Sequence, residues 1–154
     1  MITTNGANIL LAQITRTSTS TSIASGSVRD TNGTYNASDI SLSSVYLTRK
    51  YTSSQNGVTM HFGSGNAAES KGDYCLANDL NITPASVSAG QDENNYFVTA
   101  TATNNTGAAI TISEIGITAG FYSSGKEYLM GRKVVPARVV ENGASFTFAF
   151  VIEF

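Results

Sequence analysis

The sequence predicts an all-β protein, an antiparallel β-sandwich or jelly roll with one short N-terminal helix. Three observations carry that expectation. Only 13% of the 154 residues are charged, against the roughly 25% of an average soluble domain. The missing charge is replaced by 19 Thr, 19 Ser, 14 Gly and 13 Asn. Ser, Thr and Asn compete with the helical backbone for hydrogen bonds and Gly weakens a helix entropically, so this mixture favours strands and turns. Apolar residues also recur in short alternating runs separated by turn residues, at spacings of roughly 8–15 residues. That recurrence along the chain argues against disorder, and the length suits one domain over 1–154 with a core that needs no disulfide staples.

The helix is expected over Asn5–Ile14. Asn5 can cap it, and Ile9, Leu10, Gln13 and Ile14 make an apolar stripe about two turns long. An N-terminal strand is the rival reading, and 1–27 could form an arm in which Thr15–Ser27 is a polar edge strand or loop. Asn32-Gly33 signals a tight turn. Ile40–Thr48 reads as a strand whose apolar parity slips between Leu42 and Val45, the mark of a bulge. Val58–Phe62 alternates cleanly, and 63–79 is a long Gly/Asn/Ser/Asp loop. Leu80–Val87 is a weaker strand interrupted by Pro84. Tyr96–Thr103 alternates and turns at Asn104-Asn105-Thr106-Gly107. Ile110 and Ile112 share one parity and Ile115 and Ile117 the other, so a second bulge is expected near Ser113-Glu114. Tyr128–Val135 should be a strand ended by Pro136. Phe146, Phe148, Phe150, Ile152 and Phe154 alternate with Ala149 and Val151 on the opposite face, which predicts a central strand covered on both sides.

Composition removes several function classes. A net charge of −2 gives no basic footprint for nucleic acid. Ile9-Leu10-Leu11-Ala12 is far too short to span a bilayer, and no basic leader precedes it. Cys75 alone cannot form an internal disulfide, nor can it build a zinc site with the single His61. His61 is expected at a surface or interface rather than in a triad, and Cys75 as an incidental thiol beside Lys71. Gly63-Ser64-Gly65 is no dinucleotide fingerprint, because Ala68 stands where a third glycine belongs and no helix follows. Asp73 with Asp79, and Asp92 with Glu93, read as turn residues rather than as catalytic pairs or a calcium loop. The pairs Arg49-Lys50 and Arg132-Lys133 read as strand-edge charges. No catalytic residue, metal or cofactor is expected.

Three ordered pieces resemble a widespread group of small tailed-bacteriophage virion proteins of the tail-fibre, head-fibre or minor structural kind. One is the opening Ile2-Thr3-Thr4-Asn5-Gly6-Ala7-Asn8-Ile9-Leu10-Leu11-Ala12. Another runs from Phe62-Gly63-Ser64-Gly65-Asn66 to Asp73-Tyr74-Cys75-Leu76-Ala77, with Asn66 in place of the usual Thr. The last joins Glu114-Ile115-Gly116, Leu129-Met130-Gly131-Arg132-Lys133-Val134 and Gly143-Ala144-Ser145-Phe146-Thr147-Phe148. The resemblance covers most of the chain, least over 15–55. It implies a non-enzymatic virion subunit, capsid- or tail-associated and made in the host cytoplasm. Such a subunit would partner other virion proteins and itself, a trimer being one form.

Physical chemistry gives the shared residues a structural task. Glu114 and Arg132 are charges set amid apolar sequence, and a lone charge there would be costly to desolvate, so the two are expected to pair. Gly116 and Gly131 read as close-approach or bulge positions. A second reading is a carbohydrate-binding module for the host surface, using exposed Tyr35, Tyr46, Tyr51, Tyr122 or Tyr128.

Overall fold

A computed structural model describes residues 1–14, 22–41, 57–121 and 125–153. Two antiparallel three-stranded sheets pack face to face, and one short helix lies outside them. The elements are α1 (Thr4–Ile14), β1 (Ser22–Ile23), β2 (Ile40–Ser41), β3 (Gly57–Gly63), β4 (Ser86–Gln91), β5 (Asn95–Thr103), β6 (Ile110–Phe121), β7 (Lys126–Val140) and β8 (Ser145–Glu153). One sheet has the order β3-β6-β7 and the other β4-β5-β8, while β1 and β2 pair separately. Residues 15–21 and the greater part of the 40–48 strand lie outside the described residues, as do Tyr46, Arg49-Lys50 and Tyr51.

The core between the sheets comes from strand alternation. Val58, Met60 and Phe62 of β3 meet Val98, Ala100 and Ala102 of β5 and Phe146, Phe150 and Ile152 of β8. Phe62 and Phe146 sit edge to face with centroids 5.0 Å apart, an arrangement favoured by the ring quadrupoles. The 104–108 crossing is tied to the β7–β8 turn by buried Asn104. Its Nδ2 donates to the carbonyls of Ala108 and Val140, and its Oδ1 accepts from the backbone N–H and hydroxyl of Thr106.

Several expectations need correction. Thr3, not Asn5, caps α1, since its Oγ1 accepts from the Gly6 N–H at 3.1 Å. The Asn5 amide instead brackets the Arg29 backbone, accepting from its N–H and donating to its carbonyl. β7 runs through Pro136 to Val140, because this edge strand needs no N–H there and a register shift takes up the difference. The strand anticipated from Leu80 begins only at Ser86, beyond Pro84. β8 lies at the edge of its sheet rather than at the centre. Its phenylalanines point inward, but Val151 on the other face is 44% exposed.

The slip anticipated near Ser113 is present as a register shift between Ile112 and Glu114, and its extra residues lie on β7, where 135–137 stand opposite Ser113. Met130 is a further extra residue, between the pairs Ile117–Gly131 and Thr118–Leu129. Gly131 leaves room for the Phe150 ring, 2.8 Å from where a Cβ would stand, and at Gly116 a Cβ would meet Leu76 and Leu129.

Gly6 lets α1 rest directly on β7, because a Cβ there would overlap the Met130 carbonyl. Overpacking against a backbone that cannot yield costs about 1–3 kcal/mol or more. Gly6→Ala is therefore expected to lower the urea midpoint clearly. Gly72→Ala, which meets nothing closer than the Ser70 hydroxyl at 3.6 Å, should leave it nearly unchanged.

Candidate functional site

The functional residues gather on the outer side of the β3-β6-β7 sheet, under the excursion 64–78. The ends of that excursion close on each other. Ser64 N–H donates to the Asn78 carbonyl, Gly63 bridges Asp79, and Leu80 N–H donates to the Phe62 carbonyl. Such a closed loop needs its own internal partners for its backbone.

Glu114 supplies them. The slip at Ser113 lets Ile112 and Ile115 both enter the core while Glu114 faces the loop. Glu114 Oε1 accepts from the N–H groups of Gly65 at 3.0 Å and Asn78 at 2.8 Å. Oε2 accepts from Ala77 N–H at 3.1 Å and from Arg132 Nε at 2.7 Å. Gly63 and Gly65 carry no side chains because the carboxylate lies where their Cβ atoms would be. Arg132 completes the clamp. Its Nη2 donates to the Ala67 carbonyl, and its Nη1 donates to the Ala68 carbonyl and to Asp73 Oδ2.

The structure thus brings Glu114 and Arg132 together, at 0% and 2% exposure. Arg132 is consequently no strand-edge charge. Burial pushes the Glu114 carboxyl up, but the Asn78 N–H, the Arg132 guanidinium and the Ala77 N–H outweigh it and hold the group below the usual carboxylate range.

A second cluster joins the far end of the excursion to the sheet. His61 Nδ1 lies 2.7 Å from Asp79 Oδ2 and Nε2 lies 2.8 Å from Glu127 Oε2. The Thr118 hydroxyl donates to the same Glu127 oxygen at 2.6 Å. Burial alone would lower the imidazole pKa, yet hydrogen bonds to Asp79 and Glu127 outweigh it and raise the value to about 9. His61 is therefore an imidazolium with both N–H groups committed, half-buried rather than free at a surface. Its neighbours line a cleft of about 320 Å³ with Thr31, Asn32 and Cys75. Burial, followed by the carboxylates of Asp73 and Glu114, pushes the Cys75 thiol up, away from a reactive thiolate.

Sequence reasoning missed this cluster. Asp79 looks like a turn residue and Glu127 like the start of a strand, and they lie 18 and 66 residues from His61. The one available signal was a histidine on a strand that is otherwise fully buried. The two carboxylates bind opposite ring nitrogens, so they do not converge. Among the described residues no group of three or more His, Cys, Asp or Glu side chains forms a metal-ligand set. No helix among them is long and apolar enough to cross a membrane.

Of the aromatics anticipated for binding, Tyr122 lies outside the described residues. Tyr128 requires correction. It is 1% exposed and sits edge to face with Phe121 at 5.6 Å, inside the core. The alternation of β7 turns it inward, so it offers no face to a ligand. Tyr35 is 58% exposed. The chain matches no family model, no curated protein and no solved structure.

Two outcomes are expected. Removing one partner of a buried ion pair strands the other, at a cost of about 3–5 kcal/mol. Arg132→Met should therefore destabilise the fold strongly in urea titration, and adding Glu114→Leu should not recover the loss, because the N–H groups of Gly65, Ala77 and Asn78 then lose their acceptor as well. For His61 the folded pKa lies above the ordinary 6.5. Its contribution is thus complete below about pH 6.5 and is lost as pH rises through about 9. Denaturant titrations across that window should show the wild type losing about 1–2 kcal/mol relative to His61→Gln, allowing for partial solvent screening.

Proposed function

We propose that this chain is a non-enzymatic structural subunit of a bacteriophage virion, capsid- or tail-associated, that assembles through its β-sheet surfaces. The observation that carries the proposal is the outer face of the β4-β5-β8 sheet. Across the register it presents Ser86, Thr101 and Thr147, then Ser88, Thr99 and Ala149, then Gly90, Phe97 and Val151. Glu153 is its one charged residue among those described. Several hydroxyls bond across the strands, Thr101 to Thr147 at 2.8 Å and Thr103 to Ser145 at 2.9 Å. Such a face can be covered by another protein surface with little charge to strip of water.

The chemistry of the interior supports the same reading. Both His61 nitrogens are occupied by carboxylates, which leaves the ring no free lone pair to act as a base. The residues on which the resemblance to virion proteins rests, Gly63, Gly65, Asp73, Glu114 and Arg132, meet in the loop clamp, where their contacts are with the fold itself. A second reading, a carbohydrate-binding module, is favoured by exposed Tyr35 beside the Arg29 guanidinium.

Sedimentation of the purified protein is expected to show a discrete homo-oligomer, such as a trimer. Thr99→Lys, in the middle of the uncharged face, should disperse it to monomers without lowering the thermal midpoint, and mass spectrometry of purified particles should detect the subunit. A monomer at every concentration that is absent from particles would overturn the proposal.

A further inference from the structure

We propose that the cleft between the first turn of α1, the hairpin 26–35 and the turn 71–74 binds an acidic saccharide, with Arg29 taking the anionic group and Tyr35 the sugar ring. This rests on the binding-module reading and is independent of assembly.

The site begins with a small, rigid hairpin. Arg29 and Tyr35 are antiparallel bridge partners, which places their side chains on one face. Asp30 fixes the turn between them. Its Oδ1 accepts from the N–H groups of Asn32 and Thr34, its Oδ2 accepts from Lys126 Nζ, and Gly33 adopts φ +86°. The hairpin is held on the fold by Thr31 N–H donating to the Glu127 carbonyl and by the Asn5 amide bracketing Arg29.

On this frame the guanidinium is set before any ligand arrives. Its Nε donates to the Gly33 carbonyl at 2.7 Å, and its Cζ lies 3.9 Å from the centroid of the Tyr74 ring. Among the described residues its Nη groups donate no hydrogen bond, which leaves a fork able to take a carboxylate or phosphate in bidentate fashion. Exposed Lys71 adds a second positive charge on the same cleft. Asp73 is the one carboxylate lining it, and its Oδ2 is already engaged by Arg132 Nη1 at 3.1 Å and Ser70 N–H at 2.9 Å.

The remaining lining selects the ligand class. It contains Thr4, Asn5 and Ser27 and no aliphatic side chain. An apolar ligand would find little there, whereas a hydroxyl-rich one finds the acceptor lone pairs of the Thr4 and Ser27 hydroxyls, whose protons go to the Lys71 and Ala24 carbonyls, and one exposed aromatic ring. The cleft holds about 300 Å³, the lower end of the range for small-molecule sites, which suits one or two sugar units.

Calorimetric titration with trigalacturonate, an oligomeric glycerol phosphate and neutral maltotriose tests this. At least one acidic probe should bind saturably and weaken with added salt. Maltotriose should bind at least about tenfold more weakly. Tyr35→Ala, an exposed change that should keep the thermal midpoint, and Arg29→Gln should each weaken the acidic probe about tenfold or more. The tighter acidic probe identifies the anionic group. Equal binding of maltotriose, or acidic binding unchanged in Arg29→Gln and Tyr35→Ala, would overturn the site while leaving a binding module elsewhere on the chain. Failure of every probe to saturate would overturn both, whatever the oligomeric state.

Discussion

The fold depends on one buried ion pair. The excursion 64–78 lies across the β3-β6-β7 sheet without strands or helices of its own, and its inward-facing backbone groups need partners that no neighbouring strand offers. Glu114 accepts from three backbone N–H groups of that excursion, and Arg132 donates to two of its carbonyls. The two side chains do for the loop what an adjacent strand would do for a strand. A buried ion pair contributes little net stability against an apolar substitute. Here the balance is different, because hydrophobic residues of the same volume would leave five backbone groups without acceptor or donor, a direct cost in stability.

Much of the local irregularity serves that pair. In an unbroken β6, Ile112 and Glu114 would face the same way, and the slip at Ser113 separates them. The extra residue at Met130 allows Tyr128 and Met130 to remain in the core while Arg132 turns to the loop side with Glu114. The glycines follow from the same geometry. Gly63 and Gly65 clear the carboxylate, and Gly116 gives Leu76, on the excursion, a place to pack.

Much of this was legible in the residues. The parity change between Ile112 and Ile115 exposed the slip, and two charges in apolar surroundings exposed the pair, because an isolated buried charge is too costly to stand alone. The two-sheet architecture followed from alternation and turn chemistry. Sheet order did not, since alternation reports which face a residue takes and not which neighbours its strand has. The small apolar residues Ala149 and Val151 therefore suggested a covered face on what is an edge strand. Thr3 and Asn5 are both competent caps, and only the Arg29 backbone, 24 residues away, decides that Asn5 is used elsewhere. The His61 cluster was hidden for the same reason, since its three members come from β3, the end of the excursion and β7.

The two clusters hold the excursion by opposite charge logic. Glu114 grips it as a carboxylate and lets go when protonated. His61 grips Asp79 and Glu127 as an imidazolium and lets go when deprotonated. Their overlap covers neutral pH, where the loop is fixed from both sides. That matters because the middle of the excursion carries Lys71 and Tyr74, which form one wall of the cleft beside Arg29. Arg132 reaches that wall directly through Asp73. The ion pair that satisfies the buried backbone therefore also positions the cationic face of the candidate saccharide site, while the β4-β5-β8 face on the far side of the sandwich carries Glu153 as its one charge among the described residues.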